Sequence, residues 1–347
     1  MRAIGKSAVC MLIMVTVAVS IVAGIPNVNA EQTRWQNVRS ETFNKLGEIP
    51  KADKTTHIGA IIITEANPFW VTVKEGYLNA GKELGVPIDV QAAPQENSIT
   101  AQLNILENMV AKGYGAIVAH SITRYNLIPG LVKANLKGIP TITDSIRVDM
   151  KAAREAGANP FDIALVDFFA QGKIGGTYIV ERLSKQGGGK VAIIEGLPGA
   201  PQSEARRDGA KEVFDAQPSI KLVSVQPGNW DRQKAYDITT NLLQAHPDLK
   251  GIMCANDVMA LAAVSAIEEK GKKGQVIVVG IDFIAQAKDA IIEGSLAGSV
   301  AQAPFIIGEL CARAAVKAAA GERIPKELYI PPALVTGDNV GEFTDWK

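Results

Sequence analysis

From residue 57 onward, the chain alternates between short apolar runs and longer amphipathic segments. The apolar runs are rich in Ile, Val and Ala and have the length of buried strands. In chain order they read IGAIIIT, IDVQ, GAIVAH, PTIT, IALVD, KVAIIEG, KLVSVQ, GIMCAN, VIVVGID and LAGSVAQ. Segments between them, such as ITAQLNILENMVAKG, carry apolar residues three and four positions apart, as in a helix that packs on a core. This alternation predicts parallel sheets built from βαβ units.

The predicted strands are too numerous for one compact sheet. The chain begins a second series of strands near NPFDIALVD, after a loop at 147–160. A length of 347 residues accommodates two domains of ordinary size. We therefore predict an α/β fold with two similar, doubly wound parallel-sheet lobes.

The N-terminal residues have the pattern of an export signal. A short basic start precedes an apolar run from Ala8 to Ile25, and small residues lead up to Ala30. This pattern predicts a secretory signal peptide, residues 1–30, that is cleaved after Ala30. The apolar run has 18 residues, near the lower limit for spanning a bilayer, so an uncleaved membrane anchor is the alternative.

Residues 31–56 form an N-terminal extension before the first predicted strand. Within it, Trp35, Val38, Phe43 and Leu46 fall on one stripe of a helix. We predict a helix that packs on the first lobe, and a docking element or an ordered tail is the alternative.

Composition and motifs exclude several classes of function. Lys plus Arg and Asp plus Glu each number 36, and there is no basic tract, so no nucleic-acid partner is expected. The histidines are scattered without metal-ligand spacing, and neither a metal nor a cofactor is expected. The sequence lacks a Gly-x-Ser-x-Gly elbow, an HExxH motif and a dinucleotide-binding glycine motif after a strand, so no enzyme is predicted. Cys254 and Cys311 are expected to be buried thiols, with a disulfide as the alternative.

Polar and aromatic side chains follow most of the predicted strands. In doubly wound sheets the ligand binds beyond the carboxyl ends of the strands, where these side chains would meet. Carboxylates, guanidinium groups and amides match vicinal hydroxyls, and the apolar face of a sugar ring stacks on aromatic rings such as Phe69, Trp70 and Trp230. The pattern therefore predicts a sugar site. The candidates that follow strands are Asn67, His120, Asp144, Arg206, Trp230, Asn256, Asp282 and Gln302.

Several of these residues also have an ordinary structural interpretation. Asn67 and Asp144 follow strands, where such side chains cap helices or make turns. Asp282 is placed to cap the helix that follows it, and Trp230 is placed to act as a hydrophobic staple. Arg206 and Asp282 are also suited to pair with each other. Their joint position at one end of the sheets is what favours a ligand site.

Several stretches resemble the periplasmic binding proteins of the ribose and allose type, which supply sugar ATP-binding-cassette (ABC) transporters. The stretches are NPFWVTVKEG, SEARRDGAKEVF, VSVQPGNWDRQKA, CANDVMAL, VVGID and VAQAP, and their order and spacing fit from about His57 to Thr336. The resemblance implies a monomeric periplasmic protein that captures a monosaccharide and delivers it to the membrane permease of an ABC transporter. The alternatives are an exported sugar sensor for a chemoreceptor or sensor kinase, or a binder of a deoxy sugar, polyol or other small polar ligand.

The resemblance also carries ligand contacts over by position, to Asn67, Phe69, Trp70, Asp144, Arg206, Trp230, Asn256, Asp282 and Gln302. The chain departs from the family pattern at four places. Ile63 replaces a polar residue, Ser145 follows the fourth-strand aspartate with Arg147 two positions later, Phe168 replaces a hinge amide, and His120 stands at a variable position. These changes remove hydrogen-bonding groups and add apolar surface, and they leave the identity of the sugar open. His120, Ser145, Arg147 and Phe168 are secondary candidates for the site.

The same resemblance implies the type I architecture of this family, in which a three-strand hinge joins the two lobes. The crossings are expected near 162–167, 300–304 and 330–333. The expected lobes are then 57–165 plus 303–331 at the N-terminal side and 166–302 plus 332–347 at the C-terminal side.

Overall fold

The computed structural model describes residues 33–53, 56–144 and 147–347, with only the backbone described for Asp144. The predicted signal peptide at 1–30 and the candidate Ser145 therefore lie outside the described residues. Within those residues, none of the helices combines the length and the apolar character needed to cross a membrane.

Two sheets form the framework of the fold. Sheet 1 has the order β2-β1-β3-β4-β5, and all of its strand pairs are parallel. Its strands are β1 (Ile58–Thr64), β2 (Ile88–Ala93), β3 (Ala116–Ala119), β4 (Thr141–Asp144) and β5 (Phe161–Ile163). The order places β1 and β3 at the centre, so that the chain winds outward in both directions from β1.

Sheet 2 has the order β11-β10-β9-β8-β6-β7, and only the β10–β11 pair is antiparallel. Its strands are β6 (Gly189–Glu195), β7 (Ile220–Pro227), β8 (Leu249–Cys254), β9 (Ile277–Asp282), β10 (Gly298–Ala301) and β11 (Ala333–Val335). The prediction of two doubly wound parallel-sheet lobes is confirmed. Below, the first lobe is sheet 1 with the helices packed on it, and the second lobe is sheet 2 with its helices.

Helices cover both faces of each sheet. They are α1 (Arg34–Leu46), α2 (Pro68–Leu84), α3 (Ile99–Lys112), α4 (Ile128–Leu136), α5 (Met150–Glu155), α6 (Phe168–Ser184), α7 (Pro201–Asp215), α8 (Arg232–Ala245), α9 (Asp257–Glu269), α10 (Ala285–Ile292), α11 (Pro304–Ala319) and the 3-10 turn η1 (Val340–Phe343). Along β1, Ala60 and Ile62 face the α2 and α11 side, whereas Ile61 packs with Leu106 of α3. Both faces of the strand are therefore buried, as its continuous apolar run predicts.

Three elements refine the sequence-based expectations. The stripe predicted in the extension is present as α1, which packs on α11 and η1, and Arg39 makes two 2.6 Å hydrogen bonds to the buried carboxylate of Glu309. The segment 147–160, expected as a loop, contains the short helix α5, which the side chain of Asp149 caps at the amide of Ala152. The crossing expected near 330–333 leads directly into the edge strand β11, which begins at Ala333.

Two of the three connections between the lobes run side by side. Between β5 and α6, the amide of Ala164 donates to the carbonyl of Lys326 at 2.7 Å. The amides of Leu328 and Ile330 donate back to the carbonyls of Ala164 and Leu165, each at 3.0 Å. The remaining connection joins β10 to α11. There the indole N–H of Trp346 donates to the carbonyl of Gln302. These bonds join the crossing segments near the cleft.

In each lobe, two helices cross at reciprocal glycines. In the first lobe, a Cβ added to Gly76 would lie 2.1 Å from the carbonyl oxygen of Phe305, and one added to Gly308 would lie 2.1 Å from that of Val73. Only glycine permits such a close approach of two backbones. The α2–α11 contact therefore depends on both glycines.

The second lobe repeats this arrangement between α6 and α7. A Cβ on Gly172 would lie 2.0 Å from the carbonyl oxygen of Arg206, and one on Gly209 would lie 2.2 Å from that of Phe169. Arg206 stands one turn before Gly209 on the same helix. The close crossing thus also sets the position of a candidate site residue.

We expect Gly209→Ala to lower the free energy of unfolding by about 1–3 kcal/mol, because the added methyl group forces α6 and α7 apart. This cost would outweigh the roughly 1 kcal/mol by which alanine is preferred in a helix. Urea unfolding of the ligand-free protein measures it. Gly341→Ala is the matched control, since a Cβ there has no atom within 4 Å. Equal unfolding midpoints for the two variants would contradict the proposed dependence on close packing.

Candidate functional site

A cavity with an empty volume of about 290 Å³ lies between the lobes, at the carboxyl ends of strands from both sheets. The lining residues are Asn67, Phe69, Trp70, Glu96, Arg147, Gln202, Arg206, Trp230, Asn256, Asp282 and Gln302. The set comes from both lobes, so a molecule bound here would contact both.

Most of the residues predicted from the sequence meet in this cavity. The structure brings together Asn67, Phe69, Trp70, Arg147, Arg206, Trp230, Asn256, Asp282 and Gln302. His120 and Phe168 instead line a smaller neighbouring cavity of about 230 Å³ empty volume, on whose wall Trp70 and Arg147 also lie. The side chain of Asp144 and the whole of Ser145 are outside the described part of the chain.

The first wall is built by the turn that connects β1 to α2. Asn67 caps α2, because its Oδ1 accepts a hydrogen bond from the amide of Phe69 at 3.0 Å. Pro68 then occupies the first helical position, where its missing N–H costs nothing. The turn thereby presents Phe69 and Trp70, whose rings meet edge to face with centroids 5.1 Å apart. The two aromatics at the start of this helix therefore form a rigid wall of the cavity.

The second wall is Trp230, which follows β7. Asn229 and Trp230 have φ values of 57° and 64°, a conformation that L-residues adopt at a cost of about 1–3 kcal/mol each. A Cβ on Gly196 would lie 2.1 Å from the indole ring of Trp230, so the ring lies directly on that glycine. Asp282 also has a positive φ, of 116°. Strained backbone at two cavity residues is typical of functional sites.

Two amide side chains have unused hydrogen-bonding atoms at the cavity. Asn256 caps α9 through its Oδ1, which accepts from the amide of Met259 at 3.0 Å. Its Nδ2 and the Oε1 of Gln202 are buried and find no hydrogen-bond partner among the residues that the structure describes. One donor and one acceptor therefore remain for a ligand. Capping a helix and contacting a ligand are compatible roles for Asn256.

Arg206 and Asp282 form the charged centre of the second lobe. Arg206 donates from Nε to Oε1 of Gln171 at 2.9 Å and from Nη1 to the carbonyl of Ala255 at 2.8 Å. Its Nη2 lies 3.5 Å from Oδ1 of Asp282, which also accepts a 2.6 Å hydrogen bond from Gln302. The predicted alternative that these two charges pair is thus realised, yet both also line the cavity.

Burial shifts the pKa values of the charged groups in the cavity. It lowers the pKa of Arg206 to about 10, against the opposing effect of Asp282. It raises the pKa of Asp282 to about 6, although Arg206 and Gln302 act in the opposite direction. Glu96 keeps some exposed surface, but burial of its carboxyl group raises its pKa to about 7 despite a 3.0 Å hydrogen bond from Asn67.

His120 lies behind the first wall. Its Nε2 is 2.9 Å from the hydroxyl of Tyr77, and its ring centroid is 5.3 Å from that of Trp70. Burial, followed by the charge of Arg147, lowers the pKa of His120 to about 3, so the imidazole is neutral at physiological pH. The residue therefore supports Trp70 from behind and does not line the main cavity.

Two sequence-based interpretations need correction. Ile63, on strand β1, is buried in the apolar core and is not among the residues that line the cavity. Asp282 does not cap α10: the residue before that helix is Ile284, whose amide donates to Oδ2 of Asp257 at 3.0 Å. The replacement at Ile63 therefore adds no apolar surface to this cavity, contrary to the sequence-based expectation.

Sequence reasoning also missed two lining residues. Glu96 follows β2, and its position after a strand is the signal that identified the other candidates. Gln202 precedes Arg206 by four positions on α7, so both lie on one face of that helix. No group of three His, Cys, Asp or Glu residues suited to a metal ion occurs within the described ranges.

The comparisons with known proteins agree with this architecture. Residues 58–323 match the model of the periplasmic binding protein domain. The chain is 40% identical to the D-allose-binding periplasmic protein of Escherichia coli (strain K12) over 248 residues, which cover 72% of this chain and 79% of that protein. It is 31% identical to the ribose import binding protein RbsB of Bacillus subtilis (strain 168), over 80% of this chain and 87% of that protein.

A solved structure with bound ligand shows the same fold. It is an ABC transporter periplasmic solute-binding protein from Actinobacillus succinogenes 130z with bound D-allose. The similarity has a TM-score of 0.78 at 33% identity and covers 83% of this chain and 99% of that one. The sequence-based resemblance to sugar-binding proteins of this family is confirmed.

The raised pKa of Glu96 predicts a pH-dependent stability of the ligand-free protein. A carboxyl group whose folded-state pKa is raised stabilises the fold below its ordinary pKa, and this contribution is lost as the pH rises through the folded value. For Glu96 the loss falls between its ordinary pKa of 4.5 and about 7. Glu96→Gln should therefore lose less stability over this interval than the wild type, as measured by melting temperatures at fixed ionic strength.

Glu155→Gln, at an exposed position on α5, is the control and should follow the wild-type pH profile. A Glu96→Gln profile parallel to that of the wild type between pH 4.5 and 7 would show that the carboxyl group does not titrate in this interval.

Proposed function

The chain belongs to the periplasmic binding protein family, and from this premise we propose that it captures a monosaccharide between its lobes and delivers it to the permease of an ABC transporter. The observation that carries the proposal is the small cavity between the lobes, with aromatic walls and convergent polar groups. The family consists of solute-binding transport proteins, in keeping with the expectation that the chain is not an enzyme.

The chemistry of the cavity matches a sugar ring. Phe69, Trp70 and Trp230 offer apolar ring faces on which the C–H face of a sugar stacks. Arg206 presents donors only, and ionised Asp282 presents acceptors only, so the two together match hydroxyl groups that both donate and accept. We propose Asn67, Phe69, Trp70, Arg147, Arg206, Trp230, Asn256, Asp282 and Gln302 as ligand contacts, with Glu96 and Gln202 added from the structure.

D-allose is the first sugar to test. One relative is named for binding D-allose, and the similar solved structure contains it. The preference for D-allose is part of the proposal and rests on relatives that share about a third to two fifths of their residues with this chain.

We further propose that ligand binding closes the lobes about the three crossings. The proposed lobes are 57–165 plus 303–331 and 166–302 plus 332–347. Because the ligand would contact both lobes, it favours the closed form by its higher affinity for that form. In the structure, Nη2 of Arg124 in the first lobe lies 3.6 Å from Oε2 of Glu204 in the second lobe, and this salt bridge would stabilise a closed arrangement of the lobes. The permease then recognises the closed monomer.

The test is a calorimetric titration with D-allose and other monosaccharides. The protein is first unfolded and then refolded, because this step removes any copurified ligand that would raise its apparent stability. Arg206→Ala should weaken binding about tenfold to a hundredfold, because charge-assisted hydrogen bonds contribute about 1.5–3 kcal/mol. Arg207→Ala is the matched control, since Arg207 points away from the cavity to Glu195 and Asp208. It should bind as the wild type does.

Melting temperatures without ligand separate binding from folding. Unchanged affinity of a folded Arg206→Ala variant would assign Arg206 to structure alone. A wild type that binds no monosaccharide, or a bound sugar that changes chemically over time in an NMR spectrum, would overturn the proposed function.

We propose that residues 1–30 direct export of the protein to the periplasm and are then removed by cleavage after Ala30. The basic start, the apolar run and the small residues before Ala30 support this proposal. N-terminal sequencing of the protein from a periplasmic extract should give Glu31 as the first residue. Retention of the apolar run in a membrane fraction would favour the uncleaved anchor.

A further inference from the structure

Aromatic rings and guanidinium groups alternate across the cleft. The Cζ of Arg147 lies 5.3 Å from the ring centroid of Trp70 and 5.2 Å from that of Phe168. The Cζ of Arg206 lies 5.3 Å from the Phe168 centroid and 6.0 Å from that of Trp230. The five side chains, in the order Trp70, Arg147, Phe168, Arg206 and Trp230, form what we call the cation–aromatic ladder.

The ladder runs from one lobe to the other through the hinge. Trp70 and Arg147 belong to the first lobe, and Arg206 and Trp230 belong to the second. Phe168, at the centre, is the first residue of α6, directly after the β5–α6 crossing, and it is buried. The other four members of the ladder line the main cavity, whereas Phe168 lines only the smaller neighbouring one. Phe168 therefore does not line the main cavity itself, whereas its neighbours Arg147 and Arg206 do.

Phe168 counters an electrostatic problem in the site. The charges of Arg147 and Arg206 repel each other, and Arg147 contributes, after burial, to the lowered pKa of Arg206. An aromatic ring attracts a cation at each face, within about 6 Å of its centroid. The Phe168 ring lies within this distance of both guanidinium groups and therefore attracts both charges at once, which an aliphatic side chain cannot do.

We propose that Phe168 is a positioning residue that holds Arg147 and Arg206 in the orientation needed for ligand binding and couples the two lobes through the ladder. This inference rests on the proposed function for its binding readout. It explains why an apolar ring is placed at the hinge, where the sequence resemblance leads one to expect an amide. The first turn of α6 also holds Arg206 in a second way, because Gln171 on that turn accepts a hydrogen bond from Nε of Arg206.

The test compares Phe168→Leu with Phe168→Tyr. Leucine keeps apolar volume but removes the π-system, whereas tyrosine keeps the ring and adds a hydroxyl group next to the small cavity that Phe168 lines. We expect Phe168→Leu to weaken D-allose binding about tenfold, from the loss of two cation–π contacts, and Phe168→Tyr to restore affinity to within a few-fold of the wild type. Melting temperatures without ligand should fall in the same order, with leucine lowest.

Phe169→Leu is the matched control, because Phe169 is the neighbouring aromatic on α6, is 36% exposed and lies outside the ladder. It should bind D-allose as the wild type does. If Phe168 contributes packing alone, both variants lose stability through the change in volume at this buried position, but both bind D-allose as the wild type does; that result would overturn the ladder.

The two proposals fail in different ways. Wild-type affinity in Phe168→Leu, together with a lowered melting temperature, would overturn the positioning role and leave Phe168 with a structural one. If the wild type binds neither D-allose nor any other monosaccharide, the proposed function fails, and the positioning role, which rests on it, falls too.

Discussion

The burial of charge between the two lobes is the constraint on which the rest of the site depends. Two guanidinium groups and two carboxyl groups meet at one cavity, where burial makes an uncompensated charge costly. Arg206 is compensated by Asp282, by Gln171 and by a backbone carbonyl, and aromatic faces lie against both arginines. The carboxyl groups respond by binding protons more tightly, and the pKa of Glu96 rises to about 7. A polar ligand with many hydroxyl groups would complete this partly satisfied network.

The scaffold positions these groups by backbone geometry rather than by long side chains. In the second lobe, the glycine crossing of α6 and α7 brings Arg206 close to the hinge, and Gly196 leaves room for the Trp230 ring. Positive φ values at Trp230 and Asp282 raise the free energy of the fold, and favourable packing around these residues must offset this strain. In the first lobe, the cap and the proline at the start of α2 set Phe69 and Trp70 without such strain. The two walls of the cavity are therefore built by different means.

The position of the hinge follows from the topology of the two sheets. Each sheet has one face that packs in a core of its own, whereas the other faces of both sheets belong to one continuous apolar cluster that runs through both lobes. The crossings that run side by side share backbone hydrogen bonds, and α1 packs on α11 and on the C-terminal turn η1. In the proposed closure, the changes would concentrate at the cavity, where Arg147, Phe168 and Arg206 meet, and a bound ligand would therefore act directly on them.

Much of the architecture and of the site was determined by the sequence alone. The apolar runs indicated the parallel strands most clearly at the centre of the sheets, because strands such as β1 and β10 are buried along their whole length, whereas the edge strands β2 and β7 are only partly buried. The rule that ligands bind beyond the carboxyl ends of strands then identified Asn67, Arg206, Trp230, Asn256 and Asp282, since each is placed by its distance from a strand. Tertiary structure decided what depends on packing between distant segments: the exclusion of Ile63 from the cavity, the inclusion of Glu96 and Gln202, and the cation–aromatic ladder. Local patterns cannot reveal these features, because which groups share a buried space is settled only when the two lobes come together.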